Sequence, residues 1–172
     1  MSQNTPSQLK ELIEASIQLE LNVSELYTIF YKVFSQDSEF WWRLVLEEKN
    51  HAALFKSGIE SGEVFSKFPE NLVIQELDIL NSENANLRKL IDDYNLMPPT
   101  RDYAFNLALE IENSAVEIHF QQFMEEENNS VIDKIFQELN KADKDHVQRI
   151  FNYMQENGIP VTEENMMLMS AY

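Results

Sequence analysis

Apolar residues recur every three or four positions through four stretches of the chain, the spacing that lines one face of an α-helix. The first stripe reads Leu9, Leu12/Ile13, Ser16, Leu19/Glu20, Val23, Leu26/Tyr27, Phe30 and Phe34. It predicts a helix from about Pro6 to Phe34, with Thr5 as N-cap and Pro6 at the first helical position, where its missing N–H costs nothing. After Ser35-Gln36-Asp37 a second helix is expected from Ser38 to about Gly58, with the stripe Trp41, Leu44/Val45, Glu48, His51/Ala52 and Phe55. A third runs from Arg101 to about Glu126 on Phe105, Ala108/Leu109, Glu112, Ala115/Val116, His119/Phe120 and Phe123. Asn128-Asn129-Ser130 makes the next turn and cap. The fourth stripe, Ile132, Ile135/Phe136, Leu139, Ala142/Asp143, His146, Ile150 and Met154, ends near Asn157, where Gly158 and Pro160 stop a helix.

Residues 59–100 separate the second and third helices. Leu72 to Leu80 and Leu87 to Tyr94 read as two shorter helical pieces there, and Pro98-Pro99 closes the connection. The plan is all-α: two helical hairpins joined by a long, partly helical crossover, a known way to build a four-helix bundle. A chain of 172 residues suits one such domain, spanning 1–172. The tail after Val161, with Met166, Met167, Leu168 and Met169, reads as a packing segment or dimer contact.

Each stripe carries polar residues where a core wants leucine: Glu20 on the first helix, Glu48 and His51 on the second, Glu112 on the third, Asp143 and His146 on the fourth. Carboxylates are almost never buried without a partner, because their desolvation is costly. Acid and histidine three positions apart share a helix face, about 4.5 Å apart along the axis. The halves also repeat. Aligning residues 16–27 with 107–119 matches Glu20 to Glu112 and Tyr27 to His119, and Glu48-Lys49-Asn50-His51 then matches Asp143-Lys144-Asp145-His146. With 30 acidic residues in 172, one acid-x-x-His is cheap; two of them, each with a matching stripe acid on its partner helix, are not. The set is a symmetric donor group for two cations. His119 lies about 10 Å along the axis from Glu112, too far to share its ion; a role behind the ligands or at an access channel and an ordinary polar core position both stay open for it, as a supporting hydrogen bond or core packing do for its counterpart Tyr27.

Composition narrows the partners. A formal charge of −17 repels phosphate backbones and anionic lipid, so nucleic acid and membrane surfaces are not expected partners. With no cysteine, disulfides, thiolate nucleophiles and Cys-ligated iron are excluded. The polar, then amphipathic start is not a signal peptide, and no apolar run reaches membrane-spanning length, so a cytoplasmic protein is the default expectation. Oxygen donors with two imidazoles suit iron first, with manganese or zinc as alternatives.

In LELNVSELY followed by LVLEEKNHAALF, and in the matching second half, the chain resembles the ferritin-like di-iron carboxylate proteins, specifically the rubrerythrin-like branch. The resemblance covers helices 1 and 2 and helices 3 and 4, about half the chain. It implies a ferritin-like bundle with two metal ions held by Glu20, Glu48 and His51 from one half and Glu112, Asp143 and His146 from the other, Glu48 and Asp143 bridging. It implies an oxidoreductase acting on peroxide, O2 or Fe(II), with a homodimer as assembly. The chain departs from that family in three ways. Asp143 replaces a Glu, Ala115 stands where a further Glu is usual, and no Cys-rich electron-transfer domain is present, so a separate electron-donor protein is implied. A non-catalytic iron-binding protein, a hydroxylase of an organic substrate, and a structural bundle with a degenerate site are the rival readings; four clustered acids without a cation weigh against the last.

Overall fold

A computed structural model describes residues 6–60, 76–114 and 146–170, and these are helical with no strand among them. Helix α1 (Pro6–Val33) and helix α2 (Ser38–Glu60) are joined by one 3₁₀ turn, Ser35–Asp37. Neither helix interior before residue 58 contains Gly or Pro, so nothing interrupts the hydrogen-bond ladder. Side-chain contacts pair Glu20 with His51, Ser24 with Val45 and Tyr31 with Trp42. One number rises as the other falls, so the two helices are antiparallel.

Among the described residues of the connection one helix, α3 (Leu77–Leu96), runs through both 77–80 and 87–94, where two separate shorter pieces are expected from the sequence. Asn81-Ser82-Glu83-Asn84 reads as a break, but Leu80, Leu87 and Ile91 keep one buried stripe through it. Asn84 earns its place by tertiary bonds: its amide donates to the Ala15 carbonyl at 2.9 Å and accepts from Asn22 at 2.8 Å. The residues from Leu72 to Gln75 lie outside those described. Arg88 meets Glu25 and Tyr94 meets Phe30, so α3 runs parallel to α1.

Helix α4 (Arg101–Glu112) starts on a Thr100 cap that accepts from the Tyr103 N–H. The sequence pattern carries this helix to Glu126; in the structure it ends at Glu112, with Asn113 as C-cap and Ser114 in the turn beyond. Asn and Ser side chains compete for backbone groups and favour such an end. Residues 115–145, and with them Asp143 and His119, lie outside the described residues. Helix α5 (His146–Glu156) and helix α6 (Glu163–Met169) complete the described chain. Arg101 bonds Asp37 across 64 positions, and Phe105 against Trp41 keeps the same offset, so α4 runs parallel to α2. Arg149 on Glu47 and Tyr153 on Phe40 set α5 antiparallel to α2.

These helices share one core in which Tyr27, Phe30, Trp41 and Phe105 are fully buried. Buried polar groups tie its ends. Asp37 accepts both guanidinium bonds of Arg101, at 2.8 and 2.7 Å, and the Tyr153 hydroxyl at 3.0 Å. Asn106 accepts from the Thr162 N–H and Asn165 donates to Asn106, which docks α6 on α4. In α6, Met166, Met167 and Leu168 face outward while Met169 packs on the core.

Helix α5 stops in a Schellman motif: Ile159 N–H reaches the Met154 carbonyl at 2.9 Å while Gly158 sits at φ +62°. A side chain added at Gly158 meets nothing within 4 Å, so its cost is conformational alone. Gly158→Ala should lower unfolding free energy by about 1 kcal/mol with no change in the core. An unchanged denaturation midpoint would refute this account of the stop.

Candidate metal centre

Glu20 and Tyr27 lie on the inner stripe of α1, Glu48 and His51 on that of α2, Glu112 at the end of α4 and His146 at the start of α5. The parallel register of α4 on α2 carries Glu112 to the level of Glu48. All five acid and imidazole side chains, Glu20, Glu48, His51, Glu112 and His146, are buried, none more than 4% exposed. Five of the six residues expected as ligands are therefore brought together; the sixth, Asp143, is outside the described residues.

They form two triads that share one carboxylate. Glu20, Glu48 and His51 make one, and Glu48, Glu112 and His146 the other, with the donor atoms of each within 4.8 Å of one another. In the first, His51 Nδ1 lies 3.2 Å from Glu48 Oε2 and 3.5 Å from Glu20 Oε2. In the second, His146 Nδ1 lies 2.9 Å from Glu112 Oε2 and 3.3 Å from Glu48 Oε1. Neighbouring donors around a single small cation are separated by about 3 Å. Each oxygen of Glu48 thus faces a different imidazole, and the rings are 5.6 Å apart and nearly parallel at 19°.

Two carboxylate oxygens inside the cluster, Glu20 Oε2 and Glu48 Oε1, have no aligned hydrogen-bond partner. Buried polar atoms are normally satisfied, so the pair of orphaned oxygens is what an absent cation predicts. The donor set is oxygen and imidazole without sulfur, which suits Fe, Mn or Zn. The residues fit a metal pair on these grounds.

The electrostatics show how the chain meets the same demand with protons. Burial pushes the Glu20 carboxyl up to about 8, against the opposing pull of His51, and neighbouring Glu48 pushes it further. Burial also works to raise Glu48, but the two imidazoles beside it, His146 and His51, outweigh burial and hold Glu48 below the usual carboxylate range. Burial works to lower His146, yet the charge and hydrogen bond of Glu112 and the nearby carboxylate of Glu48 lift it well above the ordinary histidine value. Near neutral pH the metal-free interior therefore holds a neutral Glu20 and an imidazolium at His146 around ionised Glu48.

Three further groups stand behind the cluster. The Tyr27 hydroxyl donates to Glu112 Oε1 at 2.6 Å, which fixes the carboxylate whose other oxygen faces His146. Glu47 lies 3.5 Å from His146 Nε2, outside hydrogen-bond geometry but close enough for charge to act. Arg149 grips Glu47 with two bonds of 2.7 and 2.6 Å. Tyr27 was legible from its stripe position; Glu47 and Arg149 were not. Glu47 reads as the solvated neighbour of a stripe acid, and its partner is 102 positions away. Both line a groove of about 820 Å³ between α2 and α5, so solvent reaches to within one side chain of His146.

The pH dependence follows from signs. Glu20 and His146 are raised on folding, so their contribution to stability is complete below their unfolded values and lost as pH rises through the folded ones. Glu48 is depressed, so its contribution is lost as pH falls below about 4.5. The metal-free protein should lose thermal stability as pH rises from about 4.5 to about 8, and Glu20→Gln should flatten that slope. Parallel melting-temperature profiles for wild type and Glu20→Gln would contradict the assignment.

No protein-family model, curated protein or solved structure matches the chain, so the geometry of the site carries its functional reading.

Proposed function

We propose that this chain is a ferritin-like, rubrerythrin-type protein that holds two iron ions and works as an oxidoreductase, reducing peroxide or O2 or oxidising Fe(II). The observation that supports it most is Glu48, one carboxylate shared by two buried Glu/His triads. When bound, a pair of iron ions would supply the redox chemistry, a two-electron exchange with peroxide or O2.

The protein's own part is placement and exclusion of water. Glu48 presents one oxygen to each triad and so sets the spacing of the two positions. Glu20 and His51 complete one side, Glu112 and His146 the other. Tyr27 holds Glu112 in the rotamer that faces His146, and the Arg149–Glu47 pair sits behind His146 on the groove side. Phe30, Trp41 and Phe105 close the space beyond Tyr27 against solvent. Occupation by cations must displace the proton on Glu20 and the one on His146. Apparent affinity should therefore climb with pH until about 8, a higher window than unperturbed histidine implies. With no cysteine in the chain, a sustained cycle draws electrons from a separate donor.

Anaerobic Fe(II) loading followed by desalting should leave close to two ions per chain in wild type. Glu48→Gln should lose both and His146→Gln only one, because Glu48 alone belongs to both triads. A wild-type value near zero, with no manganese or zinc uptake, would overturn the proposal. Glu47→Gln should weaken binding by about tenfold while the ion count at saturation is unchanged; unaltered affinity would remove Glu47 from the supporting set. Steady-state peroxide consumption with a reductant separates an enzyme from a protein that only holds iron.

A further inference from the structure

Tyr27 bonds a ligand carboxylate at one end of the fully buried aromatic core, and Tyr153 lines the α2/α5 groove at the other. Between them stands Trp41. Its ring centroid is 5.6 Å from that of Tyr27. Two phenylalanines then bridge Trp41 to Tyr153. Phe105 lies 4.4 Å from Trp41 and 5.5 Å from Tyr153, while Phe40 lies 5.7 Å from Trp41 and 4.1 Å from Tyr153. Phe105 and Phe40 are both nearly parallel to the Tyr153 ring, at 14° and 25°.

We propose that Tyr27, Trp41 and Tyr153 form a conduit that carries single electrons from the α2/α5 groove to the buried acid–imidazole cluster. The inference rests on the metal reading above. Tyrosine and tryptophan are the side chains in this core that oxidise readily by one electron. Phenylalanine does not hold a hole, but its π system couples the rings on either side. A packed core needs only aromatic volume, and leucine would supply much of it. A buried phenol needs some hydrogen-bond acceptor, but packing does not require that the acceptor be a carboxylate, a group able to take the proton. Tyr27 has Glu112 Oε1 at 2.6 Å, and Tyr153 has Asp37 Oδ1 at 3.0 Å, with Arg101 fixing that carboxylate. A tyrosine gives up an electron easily only if its proton can leave at the same time. The second oxidisable pair, Tyr31 with Trp42, is on the exposed face and has no such acceptor among the described contacts.

With the metals bound and oxidised, Tyr27 would give one electron toward them while its phenolic proton moves to Glu112. Trp41 reduces the Tyr27 radical, the proton returns from Glu112, and the hole rests on Trp41 as a radical cation. The Trp41 indole N–H has no hydrogen-bond acceptor among the described residues, which keeps its proton in place. Tyr153 then reduces Trp41 through Phe105 and Phe40, passing its own proton to Asp37. A one-electron reductant in the groove, such as ascorbate, a phenol or a reduced flavin, restores Tyr153, and Asp37 gives the proton back. One electron has moved inward, every proton is returned, and no bond between heavy atoms has changed.

The test compares wild type, Tyr153→Phe and Trp41→Phe, each loaded anaerobically with Fe(II) and its bound iron counted. Peroxide is then added in excess over the iron pair without a donor, so that oxidant remains after both Fe(II) electrons are spent and the protein must supply the next ones. Radicals are followed by stopped-flow absorption and freeze-quench EPR. Wild type should show a tyrosyl radical that ascorbate quenches quickly, with oxidative modification found at Tyr153 by peptide mass spectrometry. Tyr153→Phe should hold the hole as a tryptophanyl signal at Trp41 and slow ascorbate quenching severalfold. Trp41→Phe should confine the radical to Tyr27 and slow quenching likewise. Tyr153 is partly exposed, so its variant keeps the test decisive if Trp41→Phe fails to fold. Normal iron content with no protein radical, or equal quenching rates in wild type and Tyr153→Phe, would overturn the conduit and leave the metal reading standing. Chains that bind no iron would overturn both, and the iron count tells the two failures apart.

Discussion

Three carboxylates, Glu20, Glu48 and Glu112, are withdrawn from water into one interior, and the rest of the molecule answers that cost. Ionised acids this close repel one another and have lost their hydration, so positive charge must reach them. In the metal-free chain it comes as protons, one retained on Glu20 and one on His146, with Glu48 ionised between them. Under the proposed function two cations take over that task. The orphaned oxygens of Glu20 and Glu48 mark where the protons fall short of it. An apolar core of the same volume would hold the helices together without this expense, so the cluster is better explained by chemistry than by stability.

A site assembled from four helices depends on their register, and polar contacts outside the cluster hold it. The Asp37–Arg101 pair locks the start of α4 to the turn before α2. From that anchor the two helices run in parallel at a constant offset, which brings Glu112 level with Glu48 two turns beyond Phe105 and Trp41. Arg149 on Glu47 does the same for α5 against α2 and places His146 opposite His51. Hydrophobic contact alone would allow helices to slide by a turn at modest cost. Bidentate guanidinium–carboxylate pairs do not, because their geometry is satisfied at one register. The same two contacts open onto the groove, so the elements that align the buried site also form its nearest approach to solvent.

Much of this was legible in the chain itself. The stripes of the first two helices predicted α1 and α2 to within a residue or two, because apolar spacing and the absence of Gly and Pro are local properties. Glu20, Glu48, His51, Glu112 and His146 stood out for one reason: each interrupts a stripe that burial demands be apolar. Local reading failed where a distant partner overrides it. Asn81 to Asn84 looked like a break, yet α3 runs through it, since Asn84 bonds α1. The end of α4 at Glu112 was hidden under an apolar pattern that continues beyond Asn113.

Periodicity and composition by themselves determined the helices of the described residues, their inward-facing acids and histidines, and the absence of thiolate ligands. The resemblance names Glu48 and Asp143 as bridging and the stripe offers Tyr27 as a support; the tertiary structure put Glu48 in both triads and Tyr27 on Glu112, and it alone decided that Glu47 and Arg149 stand behind His146. The division has a physical cause. Helical spacing states which face a residue occupies, whereas the partner it meets there depends on the register of another helix, fixed by contacts 64 to 102 positions away.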